Sequence, residues 1–242
     1  MNIILLAILL LYQTGVSLLD IRDIKELKNK EINQEVKLRF YKESIFFGWI
    51  PVIIIIVFIF LSPLNLNDIG IRQLSLSDNF WINVLTLVIC IAIVIILVYQ
   101  IVMYLVSEEY RVELAKEVDK KSRQGSYYER ITFNLITPVT MKEKKWFFFV
   151  SLTAGICEEI VWRGCMLLLL SSIFPDFNVV IVSVISCLLF GIFHCYQGFY
   201  GMIKTAVIAF LFVLIYITTN SLLLGIILHF LFDFSSAFLT RE

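Results

Sequence analysis

Charged side chains are scarce in this chain of 242 residues. Only 17% of the residues are charged, 60% are hydrophobic, and the mean hydropathy is +0.89. Soluble domains carry about 25% charged residues, so this composition excludes a water-soluble protein and indicates a membrane protein. The 20 basic and 20 acidic residues balance, which leaves no excess of positive charge for binding nucleic acid.

Several motifs of known hydrolases are also missing. The sequence contains no HExxH zinc-peptidase motif, no GxGD motif of aspartyl intramembrane proteases and no GxSxG nucleophile motif. The five cysteines show neither the paired spacing of a disulfide framework nor a CxxC zinc motif, so we interpret them as small core residues. They are Cys90, Cys157, Cys165, Cys187 and Cys195.

Apolar runs dominate what is present. A helix rises 1.5 Å per residue and the hydrocarbon core is about 30 Å thick, so we interpret seven runs as membrane spans. The first lacks a basic region and a small-residue cleavage site, and we expect a retained helix rather than a signal peptide. The sequence thus predicts an all-α polytopic membrane protein with about seven transmembrane helices, or eight if a span is split, around an intramembrane cavity. The segments are 2–19, 44–62, 80–106, 146–173, 178–197, 203–218 and 221–238.

Basic residues are segregated along the chain. Of the 20 Lys and Arg residues, 16 fall in residues 20–43 and 107–145, and the positive-inside rule places both segments in the cytoplasm. We therefore expect the N-terminus outside and the C-terminus inside. Residues 20–43 are expected to form a helix at the membrane surface or a solvated charged helix. Residues 107–145 are expected to be helical in their first half, with a break at 125–126.

Neither charged segment is long enough to bury a core of its own. The prediction is therefore a single membrane domain over residues 1–242, with the chemistry in residues 146–238. That region holds six of the ten glycines, and small residues let helices approach closely in a membrane. These glycines are Gly155, Gly164, Gly191, Gly198, Gly201 and Gly225.

Three charges interrupt the fourth apolar segment at "GICEEIVWRG", residues 155–164. A charged side chain in the middle of a membrane helix costs about 2.5 to 3.5 kcal/mol on insertion scales. Glu159 and Arg163 are about 40° apart and one turn along an α-helix, so they can neutralise each other. Glu158 is rotated away from that pair and needs a partner on another helix.

The candidate partners are few. The chain has only two histidines, His194 and His229, and both lie in apolar segments, with Asp233 one turn after His229. A lone histidine of this kind is usually a core imidazole bonded to a carbonyl, but a set of intramembrane ionisable groups is functional by default. Such a set can bind a metal such as zinc that activates water, or it can let a glutamate act as general base. Either chemistry is hydrolysis.

Three motifs carry a resemblance to a known family. They are Glu-Glu-x-x-x-Arg at 158–163, Phe-x-x-x-His at 190–194 and His-x-x-x-Asp at 229–233. In this order, each at an apolar site, they resemble the CPBP intramembrane proteases, also called the ABI or type II CAAX-processing family, which includes the Ras-converting CAAX endopeptidase. The resemblance covers roughly the C-terminal third of the chain.

The resemblance implies catalytic roles for four residues. Glu158 and His194 would activate the hydrolytic water. His229 and Asp233 would stabilise the oxyanion or, in a metal mechanism, act as ligands with the first two. Eukaryotic members carry Asn where this chain has Asp233, and an ionised aspartate only accepts hydrogen bonds, which puts the oxyanion role of this position in doubt. Glu159, Arg163 and Phe190 would have supporting roles.

The resemblance also implies partners and a location. The cofactor would be either none or one divalent metal, with zinc the best candidate. We expect a membrane-associated peptide or protein substrate, lipidated or not, in contact with membrane lipid in a bacterial plasma membrane. The competing hypotheses are a non-enzymatic immunity or scaffold protein and an ion transporter that uses the same buried groups. A transporter would show an inverted repeat or paired broken helices, and the sequence shows neither.

Overall fold

Helices account for the regular structure of this protein. The computed structural model describes residues 2–27 and 31–238, and no β-strand occurs within these ranges. The predicted all-α class is therefore confirmed. The described ranges contain α1 (Asn2–Glu26), α2 (Gln34–Phe60), α3 (Phe80–Val106), α4 (Glu108–Arg123), α5 (Tyr127–Ile136), α6 (Met141–Glu158), α7 (Leu167–Ile173), α8 (Val179–Phe193), α9 (Gly198–Thr219) and α10 (Leu223–Ser235).

The central element is a continuous helical segment made of α6 and α7. Between them, residues Glu159–Met166 form a π-helical stretch in which every residue is buried. The α6 half packs against α2 and α10, and the α7 half packs against α1 and α8. The π-helical stretch also contacts α9. Since the whole segment touches five other helices, its side chains can meet groups from several parts of the chain.

The apolar helices agree only in part with the predicted spans. All seven predicted segments coincide with helical structure. Within the described ranges, four helical segments are long and apolar enough to cross a membrane: α1, α2, α3 and Cys195–Thr219. The apolar helices α8 and α10 have only 15 and 13 residues, short of the 20 or so that a full crossing needs. An integral membrane protein is thus supported, while the count of seven spans stays a prediction.

The first charged segment differs from the prediction of one separate helix over residues 20–43. Its first residues continue α1 to Glu26, and α2 begins at Gln34 after the cap Asn33. Ile24 and Leu27 are buried in a cluster with Leu135 of α5. This packing explains why α1 extends past its apolar run, because apolar side chains at its end are buried in this cluster. Residues 28–30, which belong to the same predicted segment, lie outside the described residues.

The second charged segment is organised as predicted. The charged helix α4 ends at Arg123, and Gly125 has a φ of +91°, which breaks the helix. Ser126 then caps α5 through a capping box with Glu129. A short connection leads to α6, which a second capping box opens. The helix break predicted at 125–126 is therefore confirmed, and it follows from the positive φ that glycine tolerates.

Two sets of contacts define the two ends of the bundle. At one end, the N–H groups of Ser75 and Ser77 donate to the carbonyls of Thr219 and Thr218 at 2.9 Å, which joins the loop before α3 to the C-terminal end of α9. At the other end, the Tyr127 hydroxyl donates to the Ile24 carbonyl at 2.6 Å. This contact joins the last turns of α1 to the start of α5 in the second charged segment, and we call this the charged end of the bundle. The side of the membrane on which each end lies stays a prediction from the positive-inside rule.

The two ends should be distinguishable by chemical labelling. We expect a cysteine at Asn65 to react with a membrane-impermeant thiol reagent on intact cells, because the loop before α3 is predicted to be outside. A cysteine at Lys120 on α4 should react only after the membrane is opened. The unsubstituted protein gives the background from the native cysteines. Labelling of position 120 on intact cells would contradict the predicted orientation.

Candidate active site

His229 is surrounded by three carboxylates. Its Nδ1 lies 2.9 Å from Oε1 of Glu159, while its Nε2 lies 3.5 Å from Oδ2 of Asp233 and 3.8 Å from Oε2 of Glu158. The ring also stacks on Phe212, with centroids 5.0 Å apart. A carboxylate accepts hydrogen bonds and cannot donate them, so the Glu159 contact places a proton on Nδ1. The partner that Glu158 was predicted to need on another helix is therefore His229.

The two adjacent glutamates have different environments. Glu158 is the last residue of α6 and keeps 30% of its side chain exposed, whereas Glu159 begins the π-helical stretch and is fully buried. A π-helical turn is rare and often marks a functional site. Here it occurs at the point where one carboxylate must reach water and its neighbour must stay in the core.

Arg163 neutralises Glu159, as the spacing predicted. Its Nη1 lies 3.2 Å from Glu159 Oε1, and both side chains are buried. Its Nη2 donates to the carbonyl of Ala209 at 3.4 Å. The guanidinium lies between the rings of Phe190 and Phe212, at 4.9 and 5.4 Å from their centroids, and such cation–π contacts are strongest where water is excluded.

His194 ends α8 and has a different set of contacts. Its Nδ1 lies 2.7 Å from the carbonyl of Phe190, one turn earlier. Since a carbonyl accepts, Nδ1 carries the proton and Nε2 remains an acceptor. The ring packs on those of Phe190 and Tyr196, at 4.5 and 5.7 Å. Phe190 thus contacts two of the predicted site residues, since Arg163 also lies over its ring.

Glycines allow the close approach between α6 and α10. A Cβ atom on Gly155 would lie 3.0 Å from the backbone nitrogen of Phe230 on α10. A Cβ on Gly225 would lie 3.0 Å from Oε2 of Glu159. These two contacts confirm the predicted use of small residues in helix packing. They bring the helix with the glutamates against the helix with His229.

One cavity of about 900 Å³ connects the predicted residues. Its wall includes all four predicted catalytic side chains, together with Arg163 and Phe190; Glu159 lies behind that wall. The wall continues toward the charged end of the bundle, where it includes Asp20 of α1, Glu43 of α2 and Lys121 of α4. The four predicted catalytic residues are Glu158, His194, His229 and Asp233.

The same residues do not form a recognisable metal centre. Within residues 2–27 and 31–238, no three His, Cys, Asp or Glu side chains are placed to share a metal ion. His229 turns its Nδ1 toward Glu159, and the Nδ1 of His194 is bonded to a backbone carbonyl. A four-ligand zinc site would need these groups to converge on one point. We therefore derive no reaction step through a metal.

The cavity wall contains a carboxylate with access to water, two imidazoles and a second carboxylate, and it lies between apolar helices. These are groups from which a hydrolytic site in a membrane could be built. The comparison with known families agrees, because residues 142–235 match the family model described as Type II CAAX prenyl endopeptidase Rce1-like. This match over the C-terminal part of the chain agrees with the family that the three motifs resemble, and it supports a membrane endopeptidase. No curated protein and no solved structure matches the chain.

The contact between Glu159 and His229 is the feature that sequence reasoning missed. Spacing predicted Glu159 only as the partner of Arg163. The contact depends on how α10 packs against the central segment, and spacing along one helix cannot give that. One signal was available: Gly225 lies one turn before His229, and this is the glycine that leaves room for Glu159.

Glu159→Gln should lower the yield of folded protein. The change leaves Arg163 buried without a counter-charge, which costs about 3 to 5 kcal/mol. The double variant Glu159→Gln with Arg163→Met should recover much of the yield, because a methionine can fill the space between Phe190 and Phe212. The measurement is monodisperse protein in detergent and its melting temperature. A double variant as unstable as the single one would show that charge pairing is not what Glu159 contributes to folding.

Proposed function

We propose that this protein is an intramembrane endopeptidase that hydrolyses a peptide bond with a water molecule activated by Glu158. The observation that carries the proposal is the shared cavity, which holds Glu158 beside His229 and Asp233 and includes His194 in its wall. The Rce1-like domain supports the reaction class.

The proposed reaction uses three side chains of the cavity wall, those of Glu158, His194 and His229. The water oxygen attacks the peptide carbonyl carbon while Glu158 takes a proton from that water. The free Nε2 of His194 accepts a hydrogen bond from the water and orients it. The protonated Glu158 then gives its proton to the leaving nitrogen as the C–N bond breaks, so the products are a carboxylate and an amine.

His229 is the group best placed to stabilise the oxyanion. With Nδ1 bonded to Glu159, its Nε2 faces the cavity near Glu158 and Asp233. A protonated Nε2 can donate to the negative oxygen that forms on the carbonyl, and preorganised donors of this kind are a large part of catalysis. Asp233 is close enough to hold that proton in place before substrate arrives. As an acceptor it does not itself serve the oxyanion.

The proposed substrate is a membrane-associated peptide or protein, lipidated or carrying another apolar tail. The family description names prenyl substrates, and the cavity wall combines apolar side chains such as Ile93, Leu97 and Leu114 with the charged groups near its mouth. A substrate with one apolar and one polar part is complementary to such a wall. The location we propose is a bacterial plasma membrane, with the cavity open to the cytoplasm.

Glu158→Gln should abolish cleavage. Removal of the general base is expected to lower kcat by at least about a hundredfold. The assay uses purified protein in detergent and a library of quenched peptides, with and without a prenyl or acyl tail. Glu113→Gln on the exposed face of α4 is the control for loss of a charge. If the parent protein cleaves none of these peptides, the non-enzymatic or transporter hypotheses gain support.

Asp233→Asn separates the two hydrolytic mechanisms. In the metal-free mechanism the amide oxygen can still accept from His229, and activity should stay within about tenfold, or about 1.4 kcal/mol in the barrier. A metal ligand would instead lose the charge on which binding depends. Both proteins are assayed with chelator and with added zinc. Activity that is lost in the variant, is lost in the chelated parent and returns to both with zinc would contradict the metal-free mechanism.

A further inference from the structure

One oxygen atom of Glu159 contacts both its ion-pair partner Arg163 and the proposed catalytic residue His229. Glu159 Oε1 lies 3.2 Å from Arg163 Nη1 and 2.9 Å from His229 Nδ1. Glu159 is fully buried and Arg163 almost so, while His229 keeps 9% of its side chain exposed. A contact between a buried carboxylate and an imidazole at this distance is a strong hydrogen bond, because one partner is charged.

We propose that Glu159 is a positioning residue for His229, which fixes the proton on Nδ1 and aims Nε2 into the cavity. The inference rests on the proposed hydrolysis at this site and gives Glu159 a role beyond pairing with Arg163. The hydrogen bond that one ring nitrogen makes determines the state of the other. Glu159 does not contact the cavity, so it acts on the reaction through His229.

Two contacts together determine the orientation of the His229 ring. Phe212 stacks on the imidazole at an interplanar angle of 28° and so fixes the plane of the ring. Stacking alone leaves the ring free to turn over by half a rotation, which would exchange a nitrogen for a carbon at each position. The Glu159 hydrogen bond selects one of these two orientations, since only a nitrogen can donate to the carboxylate.

Glu159 is itself held on both sides. Arg163 binds the same oxygen that receives the His229 proton, and Gly225 leaves the other oxygen, Oε2, just enough space. Arg163 is in turn fixed between Phe190 and Phe212. The ion pair and the surrounding packing keep the Glu159 carboxylate in the core, so its hydrogen bond favours one orientation of His229 before a substrate binds.

Asp233 has a weaker claim to this role. It lies on the same helix as His229, one turn away, at 3.5 Å from Nε2, and 32% of its side chain is exposed. Its carboxylate contacts the nitrogen that must serve the substrate, so it competes with the oxyanion for that proton. Glu159 contacts the other nitrogen and leaves Nε2 available.

The test compares two double variants that differ only in the acceptor. Glu159→Gln with Arg163→Met removes the ion pair but keeps an oxygen that can receive the Nδ1 proton. Glu159→Met with Arg163→Met removes the ion pair and the acceptor, with a side chain of similar size. Each purified full-length protein is labelled with ¹⁵N in its histidines. Since the chain has only two, a His194→Gln version assigns the His229 signals.

The parent and the Gln/Met variant should show His229 with a hydrogen-bonded proton on Nδ1, and the Met/Met variant should lose it. With the peptide that the parent protein cleaves fastest, kcat of the Met/Met variant should fall about a hundredfold below that of the Gln/Met variant. KM and melting temperature should be the same in the two variants. Equal histidine spectra and equal kcat in the two variants would overturn the proposal. If neither folds, the parent spectrum decides: an unprotonated Nδ1 refutes the role, and a hydrogen-bonded one supports it. The spectra need no substrate, so they remain informative even if Glu158 proves not to be a catalytic base.

Discussion

A buried carboxylate with two partners is the constraint on which this structure depends. Glu159 is fully enclosed, and a charge taken out of water costs several kcal/mol unless it is paired. Arg163 supplies the counter-charge and His229 a hydrogen bond. The requirement to satisfy one side chain therefore ties the central helical segment to α10, and through the rings around Arg163 it also ties in α8 and α9.

The site follows from that arrangement. The close packing of α10 against α6 at Gly155 also brings His229 beside Glu158. The change to a π-helical turn at Glu159 occurs between the two glutamates, so that one faces the cavity and the other the core. Two adjacent glutamates thus have different environments because of the backbone geometry between them.

Much of this could be predicted from the sequence, because hydropathy and helix periodicity are local properties. The apolar helices, the helix break at Gly125 and the Glu159–Arg163 pair all follow from residues within a turn or two of each other. The contact of Glu159 with His229, 70 residues away, depends on which helices become neighbours. The extension of α1 to Glu26 depends likewise on a distant partner, Leu135. Both features depend on tertiary packing, which local sequence patterns do not encode. The number of membrane spans is likewise not a local property, because α8 and α10 are too short to be assigned from their length alone.

The closed far end of the bundle has a consequence for the membrane itself. Backbone pairing joins the loop before α3 to the C-terminal end of α9, and in the described part of the chain none of these paired residues belongs to the cavity wall. The cavity wall therefore stops short of these residues, and the cavity gives its ionisable groups no continuous water path to that side. Acidic and basic side chains can therefore lie inside a membrane protein of this kind without giving protons a leak path across the membrane.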